Sequence, residues 1–339
     1  MREAIVNWVL IGASTIARDY MIGAIRAQGA GRVSWVVSGS QERAAEYARQ
    51  NDIPGATSDL DEALRDPSID AVYISSTNEK HQSQAIAAIA AGKHVLCEKP
   101  LSTTIEGATA MVRAAKAAGV VFATNHHLRC AGSHRAIRSL IRDNAIGRVL
   151  SMRVFHAVHL PEGLRGWRLD NPDAGGGVIP DITVHNADLV RFILGEDPQD
   201  VAAQMGVSGM GKGVEDSAMS VWTMPSGAMV MSHESFTHPF AGSGIEIHGT
   251  EGSIFAKGVM GQDPEGEIEM VTAAGRKPVP FDNHNLYDES VRRFCEAVAG
   301  DGTPAATGLD GIKSLQVAMA VRTSARTGQR QTLKYEEIA

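Results

Sequence analysis

The feature that most constrains this chain is the rhythm of residues 5–124. Short apolar, β-rich runs at 5–11, 33–37, 71–75, 94–97 and 120–124 alternate with Ala-rich stretches at 42–51, 81–92 and 106–119. Strand-length runs separated by helix-length segments read as repeated βαβ units, and so as a doubly wound parallel sheet. After about residue 125 the period changes. The segments 151–160, 217–224, 228–236, 244–249 and 252–258 alternate apolar with polar residues and are separated by Gly and Pro turns. Alternation of that kind suits an antiparallel sheet with one face covered. The expected architecture is an α/β fold with a Rossmann domain over 1–124. An α+β domain with an open, mainly antiparallel sheet follows over 125–339, and a single helix over 310–327 closes it.

A chain of 339 residues accommodates two domains, each burying its own core. The formal net charge is −7, with Lys and Arg scattered rather than clustered. That argues against a nucleic-acid or anionic-membrane surface and leaves small molecules as the expected partners. Three cysteines, Cys97, Cys130 and Cys295, contain no Cys-x-x-Cys pair. Neither a disulfide framework nor a zinc ribbon is indicated, and a reducing cytoplasm is expected. The apolar opening could pass for a signal peptide, but it is short and runs straight into a glycine turn, so it reads as a buried strand. No stretch approaches the roughly 18 apolar residues of a membrane span.

The first strand ends in Gly12-Ala13-Ser14-Thr15-Ile16-Ala17, where a G-x-G-x-x-G/A fingerprint would fall. Gly12 allows the tight turn, Ser14 is small enough for backbone to approach a pyrophosphate, and Ala17 permits close helix packing. The helix that follows supplies N–H donors. An ordinary βα turn is the alternative for this motif taken alone. The end of the second strand reads Val37-Ser38-Gly39-Ser40-Gln41-Glu42-Arg43. An Asp or Glu that would hold a ribose 2′-hydroxyl is missing from the strand end, whereas Ser38 and Arg43 can meet a 2′-phosphate. The expected cofactor is NADP(H). Otherwise Ser38 is a helix cap and Arg43 a solvated surface charge.

Lys99 lies at the carboxyl end of a parallel strand, where open α/β sheets bind ligands, and Pro100 disfavours an α conformation there. Asp181, His185 and Asp188 recur at i, i+4 and i+7, one face of a regular helix. A carboxylate beside an imidazole raises its pKa and orients it, so Asp181 and His185 form a candidate proton donor. The plainer alternatives are an exposed lysine, a helix-capping Asp181 and a core His185. Trp167-Arg168 sits in a loop-like stretch and can flank a nicotinamide or a sugar, or simply anchor the loop. His126, His127 and Arg129, just past the last expected Rossmann strand, are further candidates for the substrate pocket. No metal is expected, because the twelve histidines include no His-Glu-x-x-His.

The segments Thr77-Asn78-x-x-His81, Gly92-Lys93-His94-Val95-Leu96-Cys97-Glu98-Lys99-Pro100 and Gly175-Gly176-Gly177-x-x-x-Asp181-x-x-x-His185 occur in that order. Together they resemble the glucose–fructose oxidoreductase and inositol dehydrogenase family over nearly the whole chain. The run from Gly12 to Ala17, the stretch around Ser38 to Arg43, and His156 to Arg168 are most similar to its anhydrofructose-reductase branch. The resemblance implies a Rossmann domain followed by an α+β domain whose open sheet often joins subunits, so a monomer or a homo-oligomer through that sheet. It implies catalysis by Lys99, His185 and Asp181. It implies cofactor contacts from Gly12, Ser14, Thr15, Ile16, Ala17, Ser38, Gly39, Arg43, Ser76, Thr77, Asn78, Glu79, Lys80 and His81. Glu98, Lys99, Asn125, Trp167, Arg168 and Tyr287 complete that set. The implied reaction is NADPH-dependent reduction of a sugar ketone, with 1,5-anhydro-D-fructose to 1,5-anhydro-D-mannitol as the specific expectation. An NAD(P)-dependent sugar or inositol dehydrogenase is the first alternative, and a catalytically silent dinucleotide-binding sensor the second.

Overall fold

The computed structural model describes residues 6–29 and 31–335. Ile5, where the opening strand was expected to begin, lies outside the described residues. Among the described residues six strands form one sheet: β1 (Asn7–Ile11), β2 (Arg32–Val37), β3 (Gly55–Thr57), β4 (Ala71–Ile74), β5 (His94–Cys97) and β6 (Phe122–Thr124). Their order is β3-β2-β1-β4-β5-β6, and every pairing is parallel. The order reverses between β1 and β4, the switch point outside which such sheets take their ligands. Every residue of β4 and all but the first of β1 are buried, as covering on both faces requires. The helices between strands carry their own stop signals. Thr104 caps Ile105–Ala118 by accepting from the Gly107 amide at 3.0 Å, and Gly119 ends it at φ +68°. The short edge strand β3 was not expected, since Gly-Ala-Thr is too brief to show a period.

A nine-stranded sheet follows, built from β7 (Val149–Ala157), β8 (Asp200–Gly206), β9 (Ser217–Thr223), β10 (Met229–Ser235), β11 (Ser243–Gly249), β12 (Gly252–Lys257), β13 (Glu267–Thr272), β14 (Gly275–Pro278) and β15 (Gln331–Thr332). The order is β14-β13-β12-β11-β7-β10-β9-β8-β15. Among the described strands of this sheet only the central β7/β10 pair is parallel. One face is covered: on β9 Ala218, Ser220 and Trp222 are buried, while Met219 and Val221 between them are exposed. Trp222, Val230, Ile245 and Ile247 from the covered face join a core with Val184, Leu189 and Val190 of the helix Val184–Leu194 and with Val317 and Val321 of the helix Gly308–Thr327. Strands β8, β13, β14 and β15 were not expected. Strand β8 is rich in Ala and Gly, and the four residues of β14 are all exposed, so neither has a strong alternation to read.

The chain separates into two compact units. One holds the described residues up to His127 together with Tyr287–Ile312, and the other holds Leu128–Leu286 together with the described residues from Lys313 on. The return of 287–312 to the parallel sheet carries no compositional signal. Its anchors are tertiary: Trp8 packs on Phe294 with ring centroids 5.1 Å apart, and the Gln28 amide donates to the Asp288 carbonyl at 3.1 Å. No helix among the described residues is long and apolar enough to cross a membrane.

Candidate active site

In the first unit the chain leaves β1 through Gly12, at φ +116°, where a Cβ would lie 2.9 Å from the Ser75 carbonyl carbon. Only glycine fits this approach between the ends of β1 and β4. The first helical bond after the turn runs from the Arg18 amide to the Ser14 carbonyl, so the preceding amides stand ahead of the helix ladder as donors for an anion. Ser14 ties the turn down, its hydroxyl 2.7 Å from that of Ser75 and accepting from the Ala17 amide at 3.2 Å. Thr15 is exposed, Ser14 and Ile16 are half-buried, and Ala17 is fully buried.

At the end of β2, Ser40 rather than Ser38 caps the next helix, accepting from the Arg43 amide at 3.3 Å. Ser38 stays at the strand end, with its amide donating to the Thr57 carbonyl at 3.1 Å, beside exposed Gly39. The exposed Arg43 guanidinium is held against the phosphate loop by donating to the Ala13 carbonyl at 3.0 Å. One helical turn on, the Tyr47 hydroxyl donates to the Ser14 carbonyl at 2.9 Å, and burial pushes that phenol up to about 12. Loop, strand end and helix thus form one cationic corner.

The ends of β4 and β5 are joined through His81, which is fully buried with its ring nitrogens 2.9 Å from the Pro100 carbonyl and 3.1 Å from that of Ser76. Burial holds its imidazole below the ordinary value. Ser76 bonds to Gln84, and Thr77 to Glu79; Asn78 is buried, and Glu79 and Lys80 are exposed. Lys99 is half-buried at the strand end, and the Lys99–Pro100 peptide is cis. Its neighbour Glu98 accepts from the Tyr73 hydroxyl at 2.6 Å and from the Asn125 amide at 2.7 Å. Ser290 in turn donates to Asn125 at 3.1 Å. Tyr287 is fully buried between the rings of Tyr20 and His127, at 4.7 and 4.8 Å. His81, Asn125 and Tyr287 therefore stand behind the accessible surface and brace it.

In the second unit the segment bearing Asp181 and His185 opens through Gly175, Gly176 and Gly177. Gly177 has φ +111°, and a Cβ there would strike the Glu215 carboxylate at 2.5 Å. Glu215 accepts from the Ile179 amide at 3.3 Å and pairs with Arg322 at 3.2 Å, so it clamps this turn. The helix then starts with a wide π-turn, Ile179–Thr183, before becoming α from Val184 to Leu194. A wide turn departs from regular α spacing, so the expected common face is not that of a continuous α-helix. Asp181 lies 3.5 Å from Arg168, whose guanidinium sits 4.6 Å from the Trp167 ring centre. Trp167, Arg168 and Asp181 are thus gathered together. The His185 ring lies 6.5 Å from that of His156 on β7. Asp188 accepts from Nε and Nη2 of buried Arg129, at 2.7 and 2.6 Å. Among the described residues no group of three or more His, Cys, Asp or Glu is arranged to hold a metal ion.

Sequence reasoning missed Tyr47, Ser75, Tyr73 and Glu215. Tyr47 follows Arg43 at i+4 on one helix, a spacing that could have flagged it. The others are brought in by partners far along the chain.

Comparison with known proteins agrees with this architecture. Residues 6–126 match the profile of an oxidoreductase family with an NAD-binding Rossmann fold, and residues 134–255 match the GFO/IDH/MocA C-terminal domain. The chain is 52% identical over 324 residues to 1,5-anhydro-D-fructose reductase of Ensifer adhaerens, covering 95% of this chain and 97% of that one. It is 27% identical to myo-inositol 2-dehydrogenase of Thermotoga maritima, covering 88% and 89% of the two chains. A solved levoglucosan dehydrogenase in complex with NADH and L-sorbose superposes with a TM-score of 0.87 at 25% identity, over 97% of this chain and 99% of that one. Matched in both halves and alike over nearly its full length, this chain is an oxidoreductase of the GFO/IDH/MocA family.

Proposed function

We propose that this oxidoreductase uses NADPH to reduce the ketone of a sugar, and that its substrate is 1,5-anhydro-D-fructose, converted to 1,5-anhydro-D-mannitol. The observation that carries the substrate is the 52% identity to a reductase of that name over 95% of the chain. The cofactor choice is supported by Arg43, fastened to the Ala13 carbonyl beside Ser38 at a strand end without a carboxylate. The residues fit a dinucleotide: the Gly12 turn lets backbone come close, and the amides before the first helical bond can take its pyrophosphate. Gly12, Ser14, Thr15 and Ile16 would hold that group, Ser38, Gly39 and Arg43 the 2′-phosphate, and Ser76 to Lys80 with Glu98 the nicotinamide end. When bound, the nicotinamide supplies the hydride.

The remaining work falls to this chain. Lys99 donates to the carbonyl oxygen and stabilises the charge that grows there. His185 gives that oxygen its proton, and Asp181, with Arg168 and Trp167 around it, orients the sugar and the imidazole. Among the described residues the three cysteines form no disulfide and two of them are buried, which suits work in the cytoplasm. The exposed Met219, Val221, Met229 and Met231 on the open sheet face favour a homo-oligomer through that sheet. The test is the consumption of NADPH and of NADH, followed by absorbance, against a panel of anhydro sugars, ketoses and inositols. Fastest turnover with NADPH and 1,5-anhydro-D-fructose is expected. Preferential oxidation of an inositol or aldose with NAD would replace this reading with the dehydrogenase one.

A further inference from the structure

Trp167 and Arg168 stand on a single helical turn, Trp167–Asp170, which is too short to hold its own shape. Its carbonyls are held from outside. That of Arg168 accepts from the Gly177 amide at 2.8 Å, and that of Leu169 accepts from the Lys212 amide at 2.6 Å. Two consecutive acids just before β9 stand behind these ties. Glu215 braces the segment after Gly177 by accepting from the Ile179 amide. Asp216 has no accessible surface and takes five hydrogen bonds from the loop that precedes it. Its Oδ1 accepts from the Ser208 amide and hydroxyl, both at 2.7 Å. Its Oδ2 accepts from the amides of Gly209, Met210 and Gly211 at 3.1, 2.8 and 2.9 Å. Burial alone would raise this carboxyl, but the bonds from Gly211, Ser208 and Met210 outweigh it and hold it below the ordinary carboxylate range. The loop adds little to the core, since Val207, Ser208, Gly209, Lys212 and Gly213 are exposed. What it delivers is the Lys212 amide, one residue past the last bond to Asp216, to the carbonyl of Leu169.

We propose that Asp216 is a positioning residue for the reaction: it wraps the loop 208–211 so that the Lys212 amide holds the Leu169 carbonyl, and thereby fixes Trp167 and Arg168 for the sugar. A carboxylate suits this task because both of its oxygens accept and neither donates. An asparagine of the same shape turns an NH2 group toward backbone N–H groups whichever way it is flipped, which leaves those donors unmet and pushes the loop away. A displaced turn also carries the Arg168 guanidinium away from Asp181, now 3.5 Å distant. Loop, turn and Asp181 all belong to the second unit, whereas the residues assigned to the phosphates of the dinucleotide belong to the first. The sugar should therefore feel the change and NADPH should not. The inference rests on Trp167 and Arg168 orienting the sugar, as proposed above.

Kinetics test this with 1,5-anhydro-D-fructose, or with whichever sugar of the panel the parent turns over best. Asp216→Asn should raise the KM for that sugar by about 10- to 100-fold, the scale of an ångström of misplacement, and leave the Kd of NADPH within about twofold of the parent's. A merely structural role lowers the folded fraction, which scales turnover down and leaves KM alone. Hydrogen exchange reads the arrangement without activity: in Asp216→Asn the amides of 208–212 should exchange faster by about tenfold or more, while β9 and β10 keep the protection of the parent. Ser208→Ala, at an exposed position, removes one of the five bonds and should raise the same KM by about two- to fivefold. If Asp216→Asn does not fold, Ser208→Ala decides by the same criterion. An unchanged KM in both variants, a fall in turnover at constant KM, or an equal weakening of NADPH and sugar would overturn the proposal. Arg168→Ala runs beside them. A parent-like sugar KM in that variant overturns the reading of this turn as the sugar's support, whereas a raised KM there with parent-like values in Asp216→Asn and Ser208→Ala overturns only the role of Asp216.

Discussion

Replacing Arg43 by alanine removes two interactions of different kinds, and the difference between them is measurable. In the structure the guanidinium donates to the Ala13 carbonyl at 3.0 Å, which holds it at the Gly12–Ala17 turn. A charged hydrogen bond to a 2′-phosphate is worth about 1.5–3 kcal/mol, which is about 10- to 150-fold in affinity. Arg43 is exposed, which screens the interaction and favours the lower half of that range. NADH has a hydroxyl at that position and loses only the neutral support of the loop, worth about 0.5–1.5 kcal/mol or less for an exposed bond. Fluorescence titration of both cofactors should therefore show NADPH weakened by about 10- to 100-fold and NADH by a few-fold at most. The NADPH loss should shrink as salt is raised. Arg43→Lys should fall between, since it keeps the charge but not the fork. Equal weakening of the two cofactors by Arg43→Ala would refute the reasoning and reduce Arg43 to a loop brace.

Asp188→Asn removes the buried carboxylate charge that takes Arg129 in a bidentate pair, so chemical denaturation should show a loss of about 3–5 kcal/mol; a loss below about 1 kcal/mol would contradict it. His185→Ala should lower turnover by about 10²–10⁴-fold with NADPH affinity kept, and Lys99→Met should abolish turnover with the circular dichroism of the parent; near-parent rates would make either residue structural. Glu234 has a raised folded pKa, about 7 against an ordinary 4.5, so its contribution to stability is most favourable below the ordinary value and is lost as pH rises toward and past 7. The difference is on the order of 3 kcal/mol, so Glu234→Gln should be stabilised relative to the parent at about pH 8 more than at about pH 5; an equal offset at both would contradict the shift.

Much of this arrangement is legible in the chain because its signals are local. The five apolar runs of the first half all become parallel strands, since burial on both faces writes a continuous apolar segment. Lys99 and Arg43 are singled out as candidates because strand ends in an open sheet have a fixed relation to the ligand side. The fold also contains what periodicity cannot report. The spacing of Asp181, His185 and Asp188 assumes a regular helix, whereas Ile179–Thr183 forms a π-turn around Pro180, and Asp188 is drawn off to Arg129. Glu215 clamps Gly177, and Tyr73 and Asn125 hold Glu98, from positions distant in sequence. No pattern within a window of neighbours encodes such a partner; only the sheet order does.

The most direct test of the central claim is the fate of the hydride. NADPH deuterated at the nicotinamide C4 position, one face at a time, is incubated with the enzyme and 1,5-anhydro-D-fructose, and the product is separated and analysed by mass spectrometry and NMR. The account predicts 1,5-anhydro-D-mannitol carrying one deuterium at C2 from one labelled face, and none of it formed by His185→Ala at more than a small fraction of the parent rate. Unlabelled product from both faces, or no product with NADPH while NAD drives oxidation of another polyol, would contradict it.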